Sequence, residues 1–404
     1  MNLSDQRLRD IVESYFDQEL QPGLLEQLET RVLKGGDWLF REGDAGDSLY
    51  FLVRGRLQAW AGVDGADPRL LGEIVAGESV GEVGLISGEP RSAGIQAIRD
   101  SLLIRIDRTT FENLAKQHPA LVIKLAANVG RMLQKSSSGT SASRSLKTIA
   151  LLPLTDGLEI DEFGDLFTDE LARQASVLVV SPDKLAELGA PVTNLPADTE
   201  LPEDLRHWLS DQEDQYNFVL YRCPSGDSPW TRFAVRQSDI VLMVADAKDD
   251  PTNVIWEPES LSKTNASIGR RALILLQSDR FAISDTARWL KDRQVNFHLH
   301  MEKGRKKDIQ RAVRVVTGTA IGLVMGGGAA RGLAALGVFK ALVEAGIDVD
   351  WVGGTSIGSI MAGGVAAGLS PEQAIDVSRK SFKGGKPFSD FTIPVISLLR
   401  GNRM

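Results

Sequence analysis

A chain of 404 residues has room for two to four domains, each with a core of its own. Its net charge of −8 argues against nucleic acid as a partner, and its single cysteine, Cys223, excludes an internal disulfide framework and fits a reducing compartment. No apolar run approaches the ~18–20 residues of a membrane-spanning helix, so a soluble, cytoplasmic protein is expected, peripheral to a membrane at most.

The N-terminal run MNLSDQRLRDIVESYF is charged from the start, lacks a signal-peptide core and reads as an opening helical stretch. From Leu33 to Arg108, apolar runs such as Leu49–Val53 and Leu102–Ile106 alternate with glycine turns, which predicts many short strands in a small barrel or jelly roll. Helical stretches follow at Thr110–Gln117 and Pro119–Gln134. The segment Val80–Ala93, VGEVGLISGEPRSA, resembles the phosphate-binding cassette of cyclic nucleotide-binding domains, and REGDAGDSLYFLVRGRL upstream resembles the same barrel. The resemblance implies a cyclic nucleotide, cAMP or cGMP, as a regulatory ligand. The turn after Gly81 offers N–H groups to the cyclic phosphate, Arg91 beside Ser92 supplies a bidentate counter-charge, and Glu82 accepts from the ribose 2′-hydroxyl. The structural alternative is a barrel that keeps the shape and binds nothing, with Arg91 and Glu82 paired to each other.

Lys135–Ser145, KSSSGTSASRS, is a polar run without apolar periodicity and reads as a flexible linker between domains 1–134 and 146–318. Beyond it the texture changes. Strand-like apolar runs at Thr148–Leu154, Val177–Val180, Phe218–Tyr221, Ile240–Val244 and Ala272–Leu276 alternate with helical patterns at Phe163–Gln174, Leu201–Ser210 and Ile283–Lys291. That alternation predicts a parallel α/β sheet. No lysine-containing P-loop follows the first strand, so no nucleoside triphosphatase is expected. The block Trp230–Asp239 is expected to form a strand-end network that docks neighbouring domains. His298 and His300 share a strand face and, lacking a third ligand, read as a solvated edge rather than a metal site. The basic run Arg305-Lys306-Lys307, with Arg311 and Arg314, reads as a solvated helix face in preference to a contact for anionic lipid.

The last domain, 319–404, opens with two chemical devices. A buried-type strand, Ile321–Met325, breaks into the loop Gly326-Gly327-Gly328-Ala329-Ala330-Arg331-Gly332, and a helical stretch follows until Gly346. Free N–H groups of such a loop can hold an anion without a charged side chain. After a short strand around Trp351-Val352 comes Gly354-Thr355-Ser356-Ile357-Gly358, a G-x-S-x-G turn that exposes a serine hydroxyl. Donors for an oxyanion followed by a nucleophile describe acyl transfer. The runs GLVMGGGAARG and GVFKALVEAGIDVDWVGGTSIGS resemble the patatin-like phospholipases, specifically the neuropathy target esterase group, and the block Trp230–Asp239 resembles that group's linker region. By that resemblance Ser356 is the nucleophile, the Gly326–Gly332 loop is the oxyanion hole, and the substrate is a phospholipid or lysophospholipid ester. Catalysis then needs no cofactor or metal.

A serine needs a base. No histidine follows His300, which rules out a Ser-His-Asp order after Ser356, and the resemblance implies a Ser–Asp dyad whose aspartate precedes a glycine. Only Asp376 and Asp390 follow Ser356, and neither precedes glycine. The sequence therefore reads as a catalytic domain cut short, with weak or absent hydrolysis expected of this polypeptide alone. Two rival readings remain. One is a non-enzymatic cyclic nucleotide sensor or scaffold. The other is a dinucleotide enzyme using the glycine loop, although Asp348 and Asp350 precede the strand that should carry its ribose-binding acid.

Overall fold

The computed structural model describes residues 29–63, 68–117, 146–155, 157–158, 160–195, 200–257, 270–279 and 285–384, with single positions at 123, 130 and 283. The opening stretch before Glu29, the Lys135–Ser145 linker and Asp390 lie outside the described residues, as does all of Pro119–Gln134 apart from Ile123 and Gly130. The chain divides into two compact units, Met1–Ile309 and Gln310–Met404.

The first unit begins with strands β1 (Glu29–Leu33), β2 (Trp38–Phe40), β3 (Ser48–Ala61), β4 (Arg69–Val75), β5 (Ser79–Val80) and β6 (Gly94–Asp107), with helix α1 (Glu82–Ser87) before β6 and α2 (Arg108–Gln117) after it. They form a six-stranded antiparallel sheet of order β1-β6-β3-β4, in which β2 also pairs with β6 and β5 with β3. The two 14-residue strands β3 and β6 run alongside each other from Ser48 opposite Asp107 to Trp60 opposite Gly94. Three register shifts between Leu52 and Leu57 bend this pair, the usual way a long ladder curls onto itself. Gly55 (φ 104°) sits at that bend, where a Cβ would stand 2.6 Å from Ser101 Cα. The curl encloses Leu33, Leu39, Leu52, Leu57, Ile74, Val80, Ile95 and Leu103, so the core of this jelly roll comes from residues of every strand that the glycine turns separate.

The rest of the first unit is a parallel α/β layer. Its strands are β7 (Thr148–Pro153), β8 (Val177–Val180), β9 (Phe218–Arg222), β10 (Ile240–Asp246), β11 (Arg270–Gln277) and β12 (Phe297–Glu302). The order β12-β11-β10-β7-β9-β8 puts the first strand in the middle. β7 is buried throughout and β10 as far as Ala245, which is why these runs read as continuous rather than alternating apolar sequence. Helices α3 (Ile160–Ala172), α4 (Glu203–Gln215), α5 (Pro229–Gln237) and α6 (Thr286–Leu290) complete the layer, and Leu205, Tyr221, Trp230, Phe233 and Trp289 are among its core residues.

Three expectations need correction here. The block Trp230–Asp239 is mostly a helix: Ser228 caps α5 by accepting from Thr231 N, and Trp230, Phe233 and Val235 go into the core. Its polar end does dock the barrel, through Arg236 to Asp100 at 3.5 Å and Asp239 to Arg56 at 3.3 Å. Beside them Arg99 of β6 reaches Glu213 of α4 at 2.8 Å, with Gln237 donating to the same carboxylate at 3.0 Å. Burial by itself lowers the Arg99 pKa, but Glu213 and then Asp239 more than offset this, and the guanidinium is held above its ordinary range. His300 is not solvated either: its ring lies between the Gln277 amide and the Thr286 hydroxyl. Nor is the basic run only a solvated face. In α7 (Lys306–Thr317), Arg311 stacks over Trp351 at 5.2 Å, and Arg314 makes a fork with Asp350 at 2.7 and 3.0 Å.

The second unit carries a two-stranded parallel sheet, β13 (Gly322–Met325) beside β14 (Trp351–Gly354), in the register Gly322–Trp351 to Met325–Gly354. Helices α8 (Ala334–Glu344), α9 (Ile357–Ala366) and α10 (Pro371–Arg379) surround it, and Met325, Leu336, Phe339, Ile357, Met361 and Ala374 form the core. Asp350 also accepts from Ile321 N at 3.0 Å, so the Arg314–Asp350 pair fixes the start of both strands. Asp350 is thus a buried ion-pair partner and not a ribose-binding acid. Among the described residues no helix is long and apolar enough to cross a membrane, and no group of three or more His, Cys, Asp and Glu side chains is arranged to hold a metal ion.

Candidate functional site

The serine turn is built from what glycine permits. β14 ends at Gly354 and α9 begins at Ile357, leaving Thr355 and Ser356 to turn the chain. Ser356 holds φ 53° and ψ −128°, a conformation that costs a non-glycine residue of order 1–3 kcal/mol and that clusters at functional sites. A Cβ on Gly354 would stand 2.3 Å from Gly358 O, and one on Gly358 would stand 2.2 Å from Met325 O. Both flanking glycines are therefore demanded by backbone packed on backbone. The serine side chain is exposed at the N-terminus of α9, where the helix dipole favours negative charge.

The glycine loop lies against this turn. A Cβ on Gly327 would come within 3.2 Å of Ser356 Cβ, and one on Gly332 would strike Ile357 Cγ2 at 2.2 Å. Gly328 adopts φ 134°, and Ala329–Leu333 form one 3-10 turn leading into α8. Inside the loop, Gly327 N donates to Thr355 Oγ1 at 3.1 Å and Arg331 N to Gly328 O at 3.1 Å. Sequence reasoning assigns the seven residues Gly326–Gly332 as one donor set. The structure brings Gly327 against Ser356 and Gly332 against Ile357, and it gives the amides of Gly327 and Arg331 different partners, which no spacing rule could show.

The Ser356 hydroxyl has no hydrogen-bond partner among the described residues. Asp376, one of the two aspartates after Ser356, is on α10 and bonds Lys380 one turn later at 2.9 Å. That ion pair holds its carboxyl below the usual range, the lysine hydrogen bond being the main cause.

In the barrel, Gly81 (φ 88°) follows β5 and caps α1, and Gly88 (φ 74°) closes it. Arg91 is pinned by its backbone, donating to Asp44 O at 2.8 Å and accepting from Gly43 N at 2.9 Å. Its guanidinium donates to Gly81 O at 3.0 Å and Ser48 Oγ at 3.1 Å, and it lies 4.2 Å from the centre of the Phe40 ring. Glu82, 2% exposed, accepts from the Ser79 hydroxyl, so the two side chains are not paired with each other as the ligand-free alternative supposed. Ser92 is an exposed residue next to Arg91.

Burial raises the Glu82 pKa from its ordinary 4.5, opposed first by the Ser79 hydrogen bond. Its contribution to stability is thus present below 4.5 and lost as pH rises through the raised value. Between pH 4 and 7.5 the wild-type melting temperature should therefore fall relative to that of Glu82→Gln. Parallel melting curves for the two would show Glu82 to be as well solvated folded as unfolded.

With this geometry in place, comparison with known proteins is informative. The chain matches the cyclic nucleotide-binding domain over residues 30–118, the neuropathy target esterase family P-loop-like domain over 145–321, and the patatin-like phospholipase over 323–383. It is 31% identical over 401 residues to lysophospholipase nte1 of Aspergillus fumigatus, covering 81% of this chain and 26% of that protein. It is 29% identical over 373 residues to patatin-like phospholipase domain-containing protein 7 of Rattus norvegicus, covering 81% and 27%. The chain thus spans about a quarter of the length of the curated relatives it matches. Among solved structures, the regulatory domain of Toxoplasma gondii PKA with cAMP matches at 25% identity and TM-score 0.24, over 27% of this chain and 43% of that one. Along the chain, then, a region similar to cyclic nucleotide-binding domains is followed by one similar to the P-loop-like domain of the neuropathy target esterase family and by one similar to part of the patatin-like phospholipases.

Proposed function

We propose that the protein hydrolyses the acyl ester of a phospholipid, of lysophospholipid type, with Ser356 as nucleophile. The observation that carries this is the strained, exposed Ser356 with the Gly327 backbone packed against it. Ser356 Oγ attacks the carbonyl carbon, N–H groups of the loop hold the resulting oxyanion, the alcohol departs, and water then releases the fatty acid. Hydrolysis needs a proton acceptor, which the family resemblance makes an aspartate before glycine. No Asp-Gly pair follows Ser356 within these 404 residues, so the assay calls for a form that carries one. The test is lysophosphatidylcholine hydrolysis by a longer form carrying such an Asp-Gly. Ser356→Ala should lower kcat by ~10⁴-fold or more. Turnover unchanged in Ser356→Ala would remove Ser356 as the nucleophile, and no turnover by the longer form would leave the sensor or scaffold.

The barrel is read as the regulatory part, with cAMP or cGMP placed so that Arg91 meets its phosphate and Glu82 its ribose. Phosphate binding would exchange the Arg91 bonds to Gly81 O and Ser48 for bonds to ligand oxygens. Ester turnover measured with and without saturating cAMP or cGMP decides this, and equal rates would refute it.

A further inference from the structure

The elbow contains a hydrogen bond that the G-x-S-x-G pattern does not require. Thr355, the residue before the nucleophile, uses every polar group it has. Its N–H donates to Met325 O at 3.1 Å, its carbonyl accepts from Gly358 N at 3.0 Å, and its hydroxyl accepts from Gly327 N at 3.1 Å. The first two bonds tie the end of β13 to the first turn of α9, as any residue here could. The third depends on a β-hydroxyl. It is a direct bond from the elbow to the glycine loop, and it falls where the loop packs closest to Ser356.

An amide cannot serve two acceptors well at once. With the Gly327 N–H held by Thr355, and that of Arg331 by Gly328 O, the loop amides at Gly328, Ala329 and Ala330 remain, at the opening of the 3-10 turn where helical N–H groups lack internal partners. The nucleophile turn adds the N–H of Ile357, the residue after the serine. We infer that Thr355 is a positioning residue: its hydroxyl fixes the glycine loop against the elbow and leaves the oxyanion to the amides beyond Gly327. This rests on the reading of Ser356 as nucleophile. It explains why threonine, a residue of restricted χ1, precedes the serine at the N-terminus of α9. Branching at Cβ restricts the settings open to its side chain, and in the one present the hydroxyl meets the loop.

Thr355→Val keeps the shape and removes the acceptor, whereas Thr355→Ser keeps the acceptor and removes the methyl group. Two readouts on the full chain separate the clamp from the chemistry. The first is amide hydrogen exchange at Gly327, which does not depend on Ser356 reacting. Exchange should be slow in wild type and Thr355→Ser and about tenfold faster or more in Thr355→Val, as expected when a hydrogen bond of ordinary net strength is lost. The second is the rate of Ser356 acylation by a fluorophosphonate, with Ser356→Ala as blank. Thr355→Val should react about 10–100-fold more slowly, towards the loss seen when an oxyanion donor is removed, at unchanged half-saturating probe concentration and unchanged melting temperature. Thr355→Ser should restore the rate to within a few-fold. Equal Gly327 exchange in wild type and Thr355→Val overturns the clamp. So does Thr355→Ser behaving like Thr355→Val, which would assign the effect to the methyl group. With the labelling done on the longer form that carries an Asp-Gly after Ser356, a wild type that labels no faster than Ser356→Ala would instead count against the nucleophile, while the exchange readout still decides the clamp.

Discussion

Alanine at Gly358 is expected to abolish modification of Ser356 and to destabilise the second unit by about 1–3 kcal/mol, the range for forced overpacking. The added Cβ would stand 2.2 Å from Met325 O and 2.6 Å from Gly326 O. Neither atom belongs to a side chain that could swing aside, so α9 must withdraw from the end of β13 and take Ser356 with it. Gly337→Ala is the internal control. It lies on α8 with nothing within 4 Å of the place its methyl group would take, and there alanine should be neutral or stabilising by about 0.5–1 kcal/mol. Urea unfolding and fluorophosphonate labelling of both variants provide the measurement. Gly358→Ala labelled at the wild-type rate would show that the elbow has slack the backbone distances deny.

Removing either partner of the Arg99–Glu213 pair should cost the first unit about 3–5 kcal/mol, because the remaining charge is left buried without its counter-ion. Both side chains are less than a tenth exposed, and Thr148, Tyr221 and Gln237 are arranged around the same pair. Arg99→Leu with Glu213→Leu should lose distinctly less than the sum of the single losses. Urea denaturation of the two singles and the double gives the coupling. Strict additivity would mean that water reaches the site and screens each charge separately.

How much of this is legible in the sequence depends on the range of the interaction. The parallel sheet can be read because β7 and β10 are buried on both faces, and a strand so placed must be apolar throughout. The elbow can be read because Gly354 is dictated by the backbone of Gly358 and Ser359 a few residues on, although Gly358 itself answers to Met325 and Gly326 of the distant glycine loop and its strand. The helix α5 escapes such a reading because Trp230, Phe233 and Val235 carry strand-favouring side chains, and packing against Tyr221 overrides that preference. Arg311 and Arg314 read as solvent-facing because their partners, Trp351 and Asp350, lie more than thirty residues away. The cassette residues Arg91 and Glu82 are found by motif, but Ser48, Phe40 and Ser79, which hold them, carry no pattern of their own. The Gly327–Thr355 bond is equally invisible, since threonine at that place satisfies the motif without announcing what it touches.

The docking of Asp239 and Glu213 onto Arg56 and Arg99 bears on modularity. A barrel excised within the serine-rich run at 135–145 would display two arginines at a bare face, and the remaining layer would display the matching carboxylates. Each fragment would then attract surfaces of opposite sign, the layer's carboxylates above all those of the excised barrel. Grafting such a barrel alone onto another protein would leave Arg56 and Arg99 in need of new carboxylates.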